Sequence, residues 1–339
     1  MTFKKRYFSW LIAVLLLIGL GYILKSIGIK EILELISKAN PFYLLLSLVS
    51  LFLMFFLWNV VWVKSLREIE DNNFSYFGTL PAFFSGVLFN TITPGARVGG
   101  DPIRIYYLSK KYKGSKSKYL ASVLYQKALN FIANIVFAIF SLLALFLLFK
   151  FESIRKIFLI TLFLIILIII LVVLAVISRK GIKKIVKKFS FAYVFFKHKF
   201  KNKKEFQKYL VTKYDLFAST FRQLLKNKTL TAYLFLLTIL SRLALYASVF
   251  LIFLALGIEL TFVFAVIATT LINLFEDIAG IPGGIGLAES GSILIYKLFG
   301  LSGAAAASTS LLYRGEFYFF SIIIGLAFYI YAKHSAKKK

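Results

Sequence analysis

Apolar runs long enough to cross a bilayer recur along this chain, at roughly 8–27, 41–63, 119–149, 154–178, 229–256 and 302–332. A helix rises 1.5 Å per residue, so about 20 apolar residues span a hydrocarbon core of about 30 Å. Each run therefore predicts a membrane helix, and together they predict an all-α polytopic membrane protein. Two places break the pattern. The apolar stretch 77–92 is too short, at about 24 Å, and gives way to "NTITPGARVGGD" over 90–101. There Pro94, Gly95, Gly99 and Gly100 interrupt the helix, with Thr93, Arg97 and Asp101 alongside. The stretch "LINLFEDIAGIPGGIGLAESGSILIYKLFG" (271–300) repeats the device around Pro282, Gly283, Gly284 and Gly286.

Charge decides how these segments thread the membrane. The net charge of +28 sits mainly in loops. Residues 179–228 hold sixteen Lys/Arg against Glu205 and Asp215, and 110–118 hold five lysines. In a chain with mean hydropathy +0.83, that is the cytoplasmic bias of a membrane protein or a hold on anionic lipid headgroups, not a nucleic-acid surface. Ile182, Val186, Phe189, Tyr193 and Phe196 keep helical spacing within the basic loop, which predicts an amphipathic helix lying on the membrane. With Lys4, Lys5 and Arg6 inside, a full crossing at 77–92 would put both basic loops outside. If 77–109 instead enters, turns at the Pro-Gly break and returns, both face the cytoplasm, as does the C-terminal "KHSAKKK". The first run follows "MTFKKR" without a small-residue cleavage site, so it reads as a retained helix.

The two breaks are related. A constant shift of 188 residues places Pro94 on Pro282, Gly95 on Gly283, Asp101 on Glu289, Ser122 on Ser310 and Tyr125 on Tyr313. It also carries 41–63 onto 229–251. The charge rule then makes the second half, 154–332, the upside-down repeat of the first, 1–149. The hairpin of the first half (about 77–109) enters from inside, and that of the second (about 262–300) from outside. Paired broken helices in inverted repeats are how secondary transporters build a substrate site near mid-membrane.

Ionisable residues cluster around the same places: Arg97, Asp101, Arg104, Lys127, Arg242, Glu276, Asp277, Glu289, Arg314 and Glu316. Arg242 lies mid-helix, where a cation needs a partner or water, and Glu276 and Asp277 are the nearest acids by topology. Asp101 and Glu289 each open a returning half-helix, where a carboxylate caps free N–H groups. Arg97 and Arg104 either hold a phosphate together with half-helix N–H donors or snorkel to cytoplasmic headgroups. Lys127 is close enough to its helix end to snorkel as well. Arg314 and Glu316 are two apart on a helix and so face different partners. With no cysteine, and with His198 and His334 in basic segments, no thiol or metal site is expected. "PGGIG" follows no strand, which argues against a nucleotide loop.

"NTITPGARVGGDPIRIYYLSKK", "SVLYQKALNF" and "IPGGIGLAESG" resemble motifs of the lysylphosphatidylglycerol synthase transmembrane family. Its flippase-like members are similar to the lipid-translocating part of MprF-type proteins. The resemblance covers nearly the whole chain. It implies movement of a lipid, often an anionic or aminoacylated phospholipid, between leaflets. It places Arg104 and Glu289 at typical motif positions, whereas Gln126, Lys127 and Asn130 stand where a Glu-Arg pair followed by Asp is common. The chain ends soon after its last apolar run, so the soluble aminoacyl-transferase domain of the full synthases is not expected.

The expected protein is thus a multi-pass translocase of the cell membrane, with both termini cytoplasmic. It acts on a phospholipid or lipid-linked anionic headgroup between two hairpins and needs no cofactor. Its partners are membrane lipids and, in some assemblies of this kind, a second copy of itself. Two alternatives stand beside it: a membrane enzyme, or membrane partner of one, acting on lipid-linked substrates, and a small-solute transporter.

Overall fold

The computed structural model describes residues 21–22, 25–70, 73–93, 99–148, 202–279 and 286–337. The runs at 8–27 (in most of its length) and 154–178 lie outside them, as does the surface helix expected around Ile182–Phe196. Among the described residues the regular structure is helical. A short helix α1 (Ile29–Ser37) precedes α2 (Pro41–Ile69), α3 (Tyr76–Ile92), α4 (Asp101–Tyr112) and α5 (Lys116–Leu148). After the gap come α6 (Lys203–Lys226), α7 (Lys228–Ala255), α8 (Phe262–Ala279), α9 (Leu287–Leu298) and α10 (Gly303–Tyr318). A π-helical segment, Phe319–Ile324, joins α10 to α11 (Gly325–Lys337).

Among the described residues four helices are long and apolar enough to cross a membrane: Pro41–Ile69, Lys116–Leu147, Lys228–Ala255 and the continuous Gly303–His334. Local chemistry sets their starts. The Asn40 side chain accepts from Phe42 N–H and Pro41 occupies the first turn of α2, where its missing N–H costs nothing. Asn227 caps α7 through Leu230 N–H, and Ser302 caps α10 through Ala305 N–H. The outer faces are apolar: Phe42, Leu45, Val49, Phe52 and Leu53 of α2 are all exposed. In water such a surface would aggregate, and against acyl chains it is the right one.

The centre of the fold is the seam between α2 and α7. Ser47 Oγ donates to Ser248 O at 3.0 Å, Ser50 Oγ to Ala244 O at 2.9 Å, and Ser241 Oγ to Met54 O at 3.1 Å. Asn40 N–H bonds Ala255 O at one end, and Lys64 lies over the Tyr233 ring at the other. Numbers rise along one helix as they fall along the other, so α2 and α7 run antiparallel. Small hydroxyl side chains let the two backbones approach and satisfy carbonyl lone pairs where no water is available.

The rest of the packing comes in corresponding pairs. The short helices α3 and α4 pack on each other, as do α8 and α9. Helix α3 also packs on α11, and α8 on α5. Helix α4 lies on α5 and α9 on α10, while α6 covers α5 and α1 covers α10. Unlike α2, α3 is buried on most of its faces, from Thr79 through Leu88 with the exception of Pro81. The basic segment expected as a loop over 179–228 ends differently in its described part. Residues 203–226 form α6, which docks on the bundle: Gln223 bonds Glu68 O at 2.8 Å, and Phe221 meets the Tyr125 ring edge-on. Phe206 and Leu224 of its apolar stripe are buried against the bundle, while the lysines among its described side chains stay outside.

The short helices of the first half touch at two glycines. A Cβ on Gly100 would lie 1.8 Å from Gly86 O, a backbone atom that cannot swing aside. A Cβ on Gly291, inside α9, would meet nothing within 4 Å. Gly100→Ala should therefore lower stability by about 1–3 kcal/mol. Gly291→Ala should be neutral or stabilising by about 0.5–1 kcal/mol. Thermal unfolding of the two variants in detergent separates these outcomes.

Candidate functional site

The first break is tied down on both sides. Thr93 closes α3 by donating to Phe89 O, and its hydroxyl fills the space where a Cβ on Gly99 would sit. Asn90 Oδ1 accepts the Gly100 N–H at 2.7 Å, so the two helix ends are fastened by one side chain. Pro94, Gly95 and Arg97 lie outside the described residues.

Asp101 opens α4 but makes no cap bond to its helix. Its Oδ2 lies 2.5 Å from Lys127 Nζ on α5, and its Oδ1 is buried without a hydrogen-bond partner. Lys127 is thus committed to the carboxylate rather than reaching for headgroups. Arg104, one turn on, is 6% exposed, which rules out snorkelling. Its guanidinium lies 3.9 Å from the Trp62 ring centroid and 5.0 Å from that of Phe83. Its stem runs across Gly86, where a Cβ would come within 2.1 Å of Cγ. Nη2 donates to Gln126 Oε1 at 2.9 Å, and Nε has no hydrogen-bond partner. Among the described residues no carboxylate stands within ion-pair distance of Arg104.

Gln126 does two things that one carboxylate cannot. Its oxygen accepts from Arg104 while its amide nitrogen donates to Trp58 O. The Gln126 carbonyl accepts from Asn130 Nδ2 at 3.2 Å, and Asn130 Oδ1 accepts from Arg242 Nη2 at 3.3 Å. A polar line therefore runs from α4 through one face of α5 to α7. Sequence reasoning treated Gln126 and Asn130 as departures from a charged motif, whereas the structure makes them the links between cations. Their spacing of four residues, one helical turn, was the available signal. Glu276 and Asp277 lie on α8, and their side chains are outside the described residues, so the Arg242 pairing expected with them falls there too.

The second half holds its carboxylate differently. Gly286, at φ +83°, turns the chain into α9, and Glu289 Oε2 reaches back to the Gly286 N–H at 2.6 Å. This is the reciprocal arm of a capping box. Glu289 Oε1 accepts from Tyr318 OH at 3.0 Å and lies 3.7 Å from Arg314 Nε. Pro282, Gly283 and Gly284 are outside the described residues. Arg314 and Glu316 do go to different neighbours: Glu316 Oε2 meets Ser47 Oγ on α2 at 2.5 Å. Under the shift of 188, Gln126 corresponds to Arg314 and Arg104 to Ser292. The buried guanidinium sits on the short helix in one half and on the long helix in the other.

What these elements define is an integral membrane protein of several apolar helices with buried charge at two helix breaks. The chain belongs to the family of the lysylphosphatidylglycerol synthase TM region, whose pattern matches residues 10–325. A UPF0104 membrane protein of Methanothermobacter thermautotrophicus is 25% identical over 332 residues, covering 96% of this chain and 97% of its own. UPF0104 membrane proteins of Pyrococcus horikoshii (29% over 128 residues, 37% of this chain and 38% of its own) and Methanocaldococcus jannaschii (28% over 120 residues, 34% and 35%) are also similar.

The two carboxylates should differ in what they hold. Glu289→Ala removes the cap of α9 and the carboxylate beside Arg314, whose side chain is 6% exposed, at about 3–5 kcal/mol. Glu289→Gln keeps an oxygen for the Gly286 N–H and should recover a large part of that loss. Asp101→Ala should cost less than half as much, because the Lys127 side chain is 33% exposed and can turn to water. Thermal unfolding of the three variants, read side by side, tests the order.

Proposed function

We propose that this protein moves a phospholipid or lipid-linked anionic headgroup between the leaflets of the cell membrane, along a path between two inverted repeats. The observation that carries the reading is Arg104: a buried guanidinium at a helix break, faced by an amide, with one donor unused. A buried cation with no carboxylate within ion-pair distance among the described residues is expensive, and an arriving phosphate would give it a partner. Lys127 and Arg242 extend the positive line away from the break.

The inverted-repeat reading is supported by the antiparallel α2–α7 seam, since these two helices correspond under the shift of 188. It is supported too by the matching neighbours of the two short-helix pairs. In this arrangement α3–α4 and α8–α9 are re-entrant hairpins from opposite faces, and the termini are cytoplasmic. Single cysteines test it cleanly in a cysteine-free chain. Lys116→Cys should label only from the cytoplasmic side and Glu259→Cys only from the outer side. Labelling of both from one side would contradict the inversion.

Function is read by following leaflet exchange of labelled anionic and zwitterionic lipids in proteoliposomes. Arg104→Gln should abolish exchange of the anionic lipid. Gln126→Glu should lower it by about tenfold or more, because it supplies Arg104 with a permanent counter-ion worth about 1.5–3 kcal/mol. The same variant loses the bond to Trp58 O, so its thermal stability is read beside its exchange rate. Exchange at the parental rate in both variants would remove Arg104 from the path and with it the anionic-headgroup reading.

A further inference from the structure

Glu316 has no place in the site just described. It is 9% exposed, inside the apolar span Gly303–His334, and among the described residues no cation lies within ion-pair distance of it. Its hydrogen-bonding partner is Ser47 Oγ at 2.5 Å, and Ser47 is fully buried. The same hydroxyl lies 3.0 Å from Ser248 O. A serine has one proton to give, and a backbone carbonyl can only accept. If Glu316 were ionised, two acceptors would compete for that proton, and an anion would sit in apolar packing without a counter-charge. If Glu316 carries the proton, every contact is satisfied: Glu316 O–H donates to Ser47 Oγ, and Ser47 O–H donates to Ser248 O.

The neighbouring ionisable groups are engaged elsewhere or face away. On α10 itself Arg314 lies by Glu289, and Tyr318 donates to Glu289. Tyr313 meets the Phe317 ring. On α7 Arg242 bonds Asn130 and Tyr246 OH accepts from Thr270. On α2 the ring of Tyr43 meets Phe42, a turn before Ser47. On α9 Tyr296 packs on Phe253, and Lys297 is exposed. The charges of α1, namely Lys30, Glu31, Glu34 and Lys38, are exposed. The π segment that follows has no ionisable residue.

We infer that Glu316 is a proton-binding site within the membrane, and that its proton is exchanged with water as α2 and α10 part. Its position gives the exchange a mechanical outlet. Three residues on, the helix widens into the π segment, where the buried Ser321 hydroxyl has no hydrogen-bond partner. Such segments are rare inside α-helices and are frequent at functional sites. Beyond it, Gly325 packs directly on α3, where a Cβ would come within 2.9 Å of Leu88 Cβ and 3.2 Å of Phe84 O. Phe328 stacks on Phe84 at 5.3 Å. A proton lost from Glu316 leaves a carboxylate that must be hydrated, which loosens the α2–α10 contact. The movement passes through the π segment to the first short-helix pair. Resting on the translocase reading above, this makes a pH gradient the driving force for headgroup movement, one proton taken up from water on one side and released on the other.

Two measurements on the full-length protein in vesicles test this. Infrared difference spectroscopy should show the carbonyl band of a protonated carboxylic acid at neutral pH, absent in Glu316→Gln and shifted in Ser47→Ala. Absence of a band dependent on Glu316 would overturn the proton site. Leaflet exchange of labelled anionic lipid should change severalfold when a pH gradient is imposed on the parent. In Glu316→Gln, which keeps an N–H donor for Ser47 and so keeps the fold, the gradient should have no effect. Parental exchange indifferent to the gradient would overturn the coupling while leaving the translocase reading intact. If the infrared band is present but no lipid is exchanged with or without a gradient, the translocase reading fails, the coupling falls with it, and the proton site stands.

Discussion

Hydroxyl-to-carbonyl bonds across the antiparallel pair α2 and α7 hold the two halves of this protein in register. In hydrocarbon, apolar surface gains nothing by meeting more apolar surface, so close packing and internal hydrogen bonds must do what the hydrophobic effect does in water. Ser47, Ser50 and Ser241 let two long helices approach and give their carbonyls donors. The short helices depend on that seam. A broken helix exposes backbone groups that lipid cannot satisfy, and it survives only where protein surrounds it. The burial of α3 from Thr79 to Leu88, Pro81 apart, between α2, α4 and α11 meets that requirement.

The two breaks share a plan and differ in charge. The short helix after each break carries a buried carboxylate in its first turn, Asp101 or Glu289, that meets a cation from the next long helix. In the second half, Glu289 is also bonded by Gly286 and Tyr318, which closes that site on itself. In the first half Asp101 keeps one oxygen without a partner, and Arg104 is met by an amide. Satisfied polar groups rigidify a buried network, and the Glu289 end is the more completely satisfied of the two.

Much of this was legible in the chain. Apolar run lengths marked the long helices, since the rise per residue and the bilayer thickness leave little choice. The Pro-Gly breaks marked the short helices, and the shift of 188 related the halves. Glu289 was legible as a cap in the first turn of its helix, whereas Asp101, read the same way, bonds Lys127 instead of its own helix. Partners were less so. Arg104 read equally well as a snorkelling side chain, because spacing says nothing of the Gly86 surface and Trp62 ring that enclose it. Gln126 and Asn130 looked like losses of charge, and their value as two-way amides depends on neighbours from α2, α4 and α7.

Sequence alone, then, determined the class of this protein, the order of the long and short helices among the described residues and the residue types at its breaks. These follow from hydropathy and backbone stereochemistry, which act over a few turns of chain. Tertiary structure alone decided which charges are paired, and that Glu316 meets Ser47 across 269 residues of sequence. The reason is that the worth of a buried charge depends on the atoms within about 4 Å of it, and those atoms come from helices that local pattern does not bring together.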